Sequence, residues 1–243
     1  MLLVLVSIAG LAVAGWLLYR DGIPWLAQKA TQRLPPAVEA DIARRGLPML
    51  DAVIFHPTRL PEDLRRQIRT SFDRLVALQG GAAPRLEFRD GGRIGANALA
   101  IPGGVIVVTD QLVQQLDDND LVAAVLAHEL GHLRHRHGTQ RILRGSMVAL
   151  VSAAVLGDVA SVGNLAAIIP TALVDSSYSR EFEAEADEYA FDLLRRAQLS
   201  PALLGDALST ITNEKAKPMH GGYLLSHPAT ADRIRAAEQA ARK

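Results

Sequence analysis

The chain has 243 residues, with 26 basic and 26 acidic side chains, so its formal charge is zero and nothing in its global electrostatics favours nucleic acid. Apolar residues make up 49% and charged residues 21%, enough to build a core and too apolar for wholesale disorder. Cysteine is absent, which excludes disulfide scaffolds, thiolate metal sites and cysteine nucleophiles.

Residues 1–19 carry no charge, and Arg20 is the first charged residue. A run of about 20 apolar residues is the length that crosses a bilayer. Trp16, Tyr19 and Trp25 gather at its end, where amphipathic rings favour the interface. Residues 1–20 are therefore predicted to be a transmembrane anchor, making this a single-pass membrane protein, of bacterial inner-membrane type. A cleavable signal peptide is the competing reading, because Ala12-Val13-Ala14 resembles a cleavage site. Against it, no basic stretch precedes the run, and the run continues through Leu18. Lys29, Arg33, Arg44 and Arg45 follow the segment, and the positive-inside rule would hold them in the cytoplasm. Arg20 is offset locally by Asp21, and the side of the membrane is left open.

Residues 21–50 contain Pro24, Pro35, Pro36 and Pro48 and read as a broken juxtamembrane connector, leaving 51–243 as the functional domain. Pro61-Glu62-Asp63 opens a helix that repeats Leu64, Ile68, Phe72, Leu75 and Val76 at helical spacing and stops at Gly80-Gly81. Leu86-Glu87-Phe88, residues 94–101 and Val105-Ile106-Val107-Val108, separated by Gly-rich turns, predict a small antiparallel meander. Asp117-Asp118-Asn119-Asp120 caps a helix over residues 121–137, closed by Gly138. Residues 145–174 are mostly apolar, in two stretches short for spanning; core helices, an interfacial hairpin and a shallow membrane insertion all remain open. A helix over 180–197 and a final basic helix complete an α+β fold, mainly helical, with a small antiparallel sheet.

The strongest chemical signal is His128-Glu129-Leu130-Gly131-His132. Histidines at i and i+4 share one face of a helix, so two imidazoles can meet one tetrahedral zinc. Glu129 then stands beside the metal, placed to take a proton from water. On a helical wheel of residues 180–197, Phe182, Ala186, Tyr189, Ala190, Leu193, Leu194 and Ala197 form an apolar arc. Glu183 and Asp187 alone break it, and buried carboxylates are costly unless paired or metal-bound. Glu183 is the predicted third ligand, with Asp187 supporting a ligand imidazole through a hydrogen bond. His135 and His137, among Arg134 and Arg136, read as solvated side chains at a helix C-terminus.

This motif, followed by Tyr178-Ser179-Arg180-Glu181-Phe182-Glu183-Ala184-Glu185-Ala186-Asp187, resembles the gluzincin family of membrane-associated metallopeptidases, which includes HtpX-like quality-control proteases, BepA-like proteins and CAAX prenyl proteases. The resemblance runs from about Gly91 to Arg235 and implies the same roles for Glu183 and Asp187. Ala96-Asn97-Ala98 is similar to the family's strand beside the active site, which implies that Asn97 and Ala98 bind extended peptide substrate. Ser226-His227-Pro228 with Arg233 is similar to the family's late H-P…R element, which implies that His227 either stabilises the oxyanion or caps the metal, with Arg233 assisting. A prenyl-protein substrate is disfavoured, because relatives with that chemistry enclose it in many membrane helices. The expected function is a membrane-anchored endopeptidase with one Zn2+ per chain, acting on protein or peptide substrates in quality control. The alternative is a zinc-stabilised, chaperone-like binding module with little or latent proteolysis.

Overall fold

The computed structural model describes residues 1–156, 178–213 and 222–242. Helix α1 (Leu2–Leu17) buries no residue and passes through a wide π-helical turn (Leu18–Gly22) into α2 (Ile23–Arg33). The whole helix Leu2–Arg33 is long and apolar enough to cross a membrane. The wide turn directly precedes Pro24, whose missing N–H removes one rung of a regular helix. Ile23, Ala27 and Thr31, spaced four apart, form the buried stripe of α2.

The expected broken connector is in fact almost entirely helical, because its prolines stand where helices tolerate them. Pro24 and Pro36 occupy first turns, and only Pro48 lies inside α3 (Pro36–Val53). An internal proline costs about 3 kcal/mol, but α3 buries Leu47, Leu50 and Ala43 against the sheet, and each large apolar side chain contributes about 1.5–3 kcal/mol.

The sheet also departs from the expected meander. Strands β1 (His56–Pro57), β2 (Arg85–Asp90), β3 (Ala98–Ile101) and β4 (Val105–Thr109) lie in the order β1-β2-β4-β3. β3 and β4 form the predicted antiparallel hairpin, with Ala98 opposite Val108 and Ile101 opposite Val105. β2 instead runs parallel to β4, with Arg85 opposite Val105 and Arg89 opposite Thr109. The turn at Gly92–Ile94 carries the chain past β4's place to the outer edge, and the hairpin then returns β4 to the centre. β4 is buried throughout, which is why its sequence is β-branched without alternation. At the hairpin turn Gly103 has φ +95°, and a Cβ there would stand 2.2 Å from the Glu39 carbonyl oxygen, so α3 is pressed directly onto the turn.

The remaining described helices are α4 (Glu62–Gln79), α5 (Asp110–Leu116), α6 (Asn119–Arg134), α7 (His137–Leu156), α8 (Arg180–Arg196), α9 (Ala202–Asn213), α10 (Tyr223–Ser226) and α11 (Ala231–Ala240). One sheet face packs with α4, α5, α6, α8, α9 and α11 in the main core; the other carries α3. Asp118 caps α6 as expected, accepting from the amides of Asp120 and Leu121. The α6 helix, however, ends at Arg134 rather than at Gly138. Arg136 adopts a left-handed conformation, φ +56°, and Gly138 already belongs to α7. Residues 145–156 continue α7; the rest of the apolar stretch, 157–174, lies outside the described residues.

Candidate metal centre

α8 crosses α6 at unusually close range. A Cβ on Gly131 would stand 2.8 Å from the Ala186 carbonyl oxygen, so the second variable position of the histidine motif has room only for hydrogen. That approach brings the buried faces of both helices together. His128 and His132 are fully enclosed on α6, while Glu183 and Asp187, each 3% exposed, face them from α8. Ser179 caps α8 by accepting from the Phe182 amide, which places Glu183 in the first turn.

The facing atoms converge. His128 Nε2 lies 2.9 Å from His132 Nε2, and each is 3.5 Å from a Glu183 oxygen. His227, just past α10, contributes Nδ1 at 3.3 Å from His128 Nε2 and 3.0 Å from Glu183 Oε1. One atom from each of His128, His132, Glu183 and His227 lies within 4.8 Å of all the others. Bonds of about 2.0–2.1 Å to a tetrahedral zinc put neighbouring ligand atoms about 3.3 Å apart, so the spacing fits. Ring nitrogens turned toward one another in a dry interior repel unless a cation or proton lies between them. The donor set, three imidazoles and a carboxylate, suits zinc. Beside it, Glu129 is fully buried, and among the described residues neither of its oxygens has a hydrogen-bond partner; His227 Nε2 lies 3.5 Å from Oε1.

Asp187 stands behind this cluster. Its Oδ1 is 2.9 Å from His128 Nδ1, and both of its oxygens accept from Arg233 at 2.7 Å. Arg233 also reaches Glu183 Oε2 at 2.6 Å and donates to the Pro228 carbonyl. Burial works to raise the Asp187 and Glu183 carboxyls, but the cations and hydrogen bonds outweigh it. His128 and Arg233 hold Asp187 below the usual carboxylate range; His227, with hydrogen bonds from His128 and His132, holds Glu183 far below it. Burial likewise opposes charge on His128, yet Asp187 and Glu183 raise it to about 9, whereas burial prevails at His132 and lowers it well below its ordinary value.

The structure thus brings together His128, Glu129, His132, Glu183, Asp187, His227 and Arg233. Arg233 spends its guanidinium on the two carboxylates and the Pro228 carbonyl. His227 Nδ1 stands within the same cluster of donor atoms as His128, His132 and Glu183. Asn97 and Ala98 stand at the start of β3, the outer strand of the sheet, whose described pairing is to β4. Asn97 is buried and closes its backbone onto Thr109, accepting at its carbonyl from the Thr109 amide and donating its own amide to Thr109 Oγ1. Ala98 is buried and paired with Val108. The Tyr223 amide donates to the Ala96 carbonyl, so the loop bearing His227 is laid on the start of that edge.

Three aromatic or imidazole neighbours surround the cluster without having been assigned a role in it by the sequence. Tyr178 stacks on the His132 ring at 4.0 Å between centroids, and Arg141 lies over the Tyr178 ring. Tyr223 stacks on His227 at 4.5 Å. His137, expected in solvent, is fully buried and 2.9 Å from His132; the left-handed Arg136 turns the chain back and delivers it there, while His135 stays exposed as expected. A cavity of about 540 Å³ opens beside Glu183, lined by Tyr178, Phe191, Pro228 and Arg233 among others.

Residues 64–241 match peptidase family M48. Among curated relatives, the metalloprotease LoiP of Escherichia coli is 36% identical over 148 residues, 56% of this chain and 55% of LoiP. A CAAX prenyl protease 1 homolog of Arabidopsis thaliana is 27% identical over 222 residues, covering 78% and 51%. The mitochondrial metalloendopeptidase OMA1 of Schizosaccharomyces pombe is 24% identical over 188 residues, covering 76% and 53%. The chain spans about half the length of these relatives. With a match over well over half its residues, spanning the crossing helices, the cluster and the His227 loop, this chain belongs to peptidase family M48.

Proposed function

We propose that this chain is a membrane-anchored zinc endopeptidase that hydrolyses peptide bonds of protein substrates in quality control, with residues 1–20, at the start of the helix Leu2–Arg33, as its anchor. The observation that carries the reading is the buried convergence of His128, His132 and Glu183 beside a Glu129 carboxylate that has no hydrogen-bond partner among the described residues. These three side chains would hold the metal. When bound, zinc supplies a Lewis acid that polarises the scissile carbonyl and draws the pKa of water down to about 7. Glu129 accepts the proton of the attacking water and returns it to the leaving amine nitrogen. Its burial, with no hydrogen-bond partner among the described residues, leaves it available for that exchange. Asp187 orients His128 through Nδ1, and Arg233 fixes both carboxylates so that neither drifts from the cluster.

The test is Glu129→Gln in the full chain. Zinc content stays at one equivalent by metal analysis, while cleavage of an unfolded protein such as casein falls by about a hundredfold or more. Full cleavage by this variant would remove Glu129 from the reaction.

The place of His227 favours a second reading, a latent protease or binding module. Its Nδ1 occupies the fourth corner of the cluster, where water must enter. If that imidazole caps the metal, His227→Ala turns over casein faster than the wild type; if it assists the reaction, the same variant is slower.

A further inference from the structure

We infer that His137 and Glu185 form a two-step hydrogen-bond relay that positions the His132 imidazole toward the metal. The inference rests on the zinc-site reading above and assigns both residues a role that reading does not use. His132 turns Nε2 into the cluster, so the single proton of its neutral ring belongs on Nδ1. That nitrogen faces His137 Nδ1 at 2.9 Å. The His137 nitrogen must then be the acceptor, which puts the His137 proton on Nε2. There it meets Glu185 Oε2, again at 2.9 Å. With Nε2 of His132 given to the metal, this proton arrangement satisfies every contact in the row.

Packing fixes the rings in these orientations. The His137 ring stacks on Phe182, with centroids 4.1 Å apart and planes 8° apart, and His132 stacks on Tyr178. Phe182, Glu183 and Glu185 all belong to α8, so one helix supplies a ligand, the stacking surface and the far end of the relay. The two ligand histidines are thereby supported unequally. At Nδ1, His128 touches the buried Asp187 carboxylate directly, whereas His132 reaches a carboxylate only through His137, and that Glu185 side chain is 54% exposed. The His132 bond is the one that the surface can loosen.

The experiment measures zinc release from the full chain in detergent to a chromogenic chelator. His137→Phe keeps the flat ring and its stack on Phe182 but offers no acceptor; His137→Asn loses the stack but puts Oδ1 close to where Nδ1 stood. Losing an outer hydrogen-bond partner of a ligand histidine typically costs 10–100-fold in metal affinity, so His137→Phe is expected to release zinc faster by roughly that factor. His137→Asn stays within about threefold of the wild type, because the amide oxygen still accepts from Nδ1–H. Glu185→Leu falls between the two. A packing role alone reverses the order of Phe and Asn and overturns the relay. So does a His137→Phe variant that holds zinc like the wild type, or a ranking that merely follows the thermal stability of the zinc-free forms. The donor atoms of His135, His137 and Glu185 also lie within 4.8 Å of one another. A second zinc equivalent in the wild type, lost in Glu185→Leu while the first remains, would reassign the pair to a separate ion and overturn the relay. A wild type that holds no zinc overturns the metal-site reading itself, and the metal analysis reads that out before any variant is compared.

Discussion

The α6–α8 crossing and the α2–α7 contact are both helix pairs, yet they are held by different forces. At the crossing, Gly131 lets two backbones touch, and the space around them is filled by His128, Glu129, His132, Glu183, Asp187 and Arg233, all buried. At the α2–α7 contact, the buried stripe of α2 is Ile23, Ala27 and Thr31, and Leu150 and Val151 on α7 remain exposed. Apolar contacts tolerate adjustment by sliding and repacking. Buried charges do not, because each needs its counter-charge at hydrogen-bond distance. The difference implies that single substitutions at the crossing should be severe and should reach the metal, while those at the α2–α7 end should be mild and stay local.

The sharpest way to break this contrast is Arg233→Met. Arg233 is the guanidinium that faces both Asp187 and Glu183, and its removal leaves two buried carboxylates short of a cation. A loss of roughly 3–5 kcal/mol in urea unfolding is expected, together with loss of bound zinc. Arg233→Lys keeps the charge but not the two-pronged grip on Asp187, and should fall between Met and the wild type. A Met variant as stable as the wild type would show that the crossing is held by packing like the other pair, and the contrast would disappear.

Gly131→Ala probes the same crossing through the backbone. The added methyl meets Ala186 main-chain atoms at 2.8 and 2.9 Å, which cannot rotate away, so α8 must shift. Overpacking of this kind costs about 1–3 kcal/mol. Because Glu183 and Asp187 ride on α8, zinc affinity should fall with stability, measurable by chelator competition. An Ala variant with normal zinc affinity would mean that the close approach does not set the ligand geometry.

The crossing was largely legible in the sequence, and the physical reason is periodicity. His128 and His132 share a helical face, and Glu183 and Asp187 are the polar interruptions of an apolar arc, so both halves of the cluster follow from 3.6-residue geometry. His137 was not legible, because its burial depends on the left-handed turn at Arg136, and arginine is not a residue type that announces such a turn. Tyr178, just ahead of the Ser179 cap, and Tyr223 join the rings from outside the helical repeats, where periodicity says nothing about which way a ring faces. The parallel pairing of β2 with β4 was hidden for a similar reason: short strands show where they lie in the chain but not which neighbour they choose. The helices at residues 23–53 are obscured because proline in a sequence reads as a breaker, whereas position within the helix and burial of the opposite face decide its effect.

Arg136 is where the two regions meet, and it supports the smallest of the expected effects. Its guanidinium donates to the carbonyls of Thr31 and Leu34, at the end of α2, and pairs with Glu39 on α3. Arg136→Ala keeps the left-handed turn but releases these contacts, and each half-exposed hydrogen bond contributes about 0.5–1.5 kcal/mol. With each of the three contacts at the low end of that range, because the guanidinium is partly solvated, a total loss of about 1.5 kcal/mol is expected, with faster amide exchange confined to residues 31–39. Zinc content and turnover of soluble peptides should stay unchanged, because the rigid α6–α8 crossing does not depend on where α2 sits. Turnover falling in step with that exchange would show that the α2–α7 end is mechanically coupled to the metal cluster through the same turn that delivers His137 to His132.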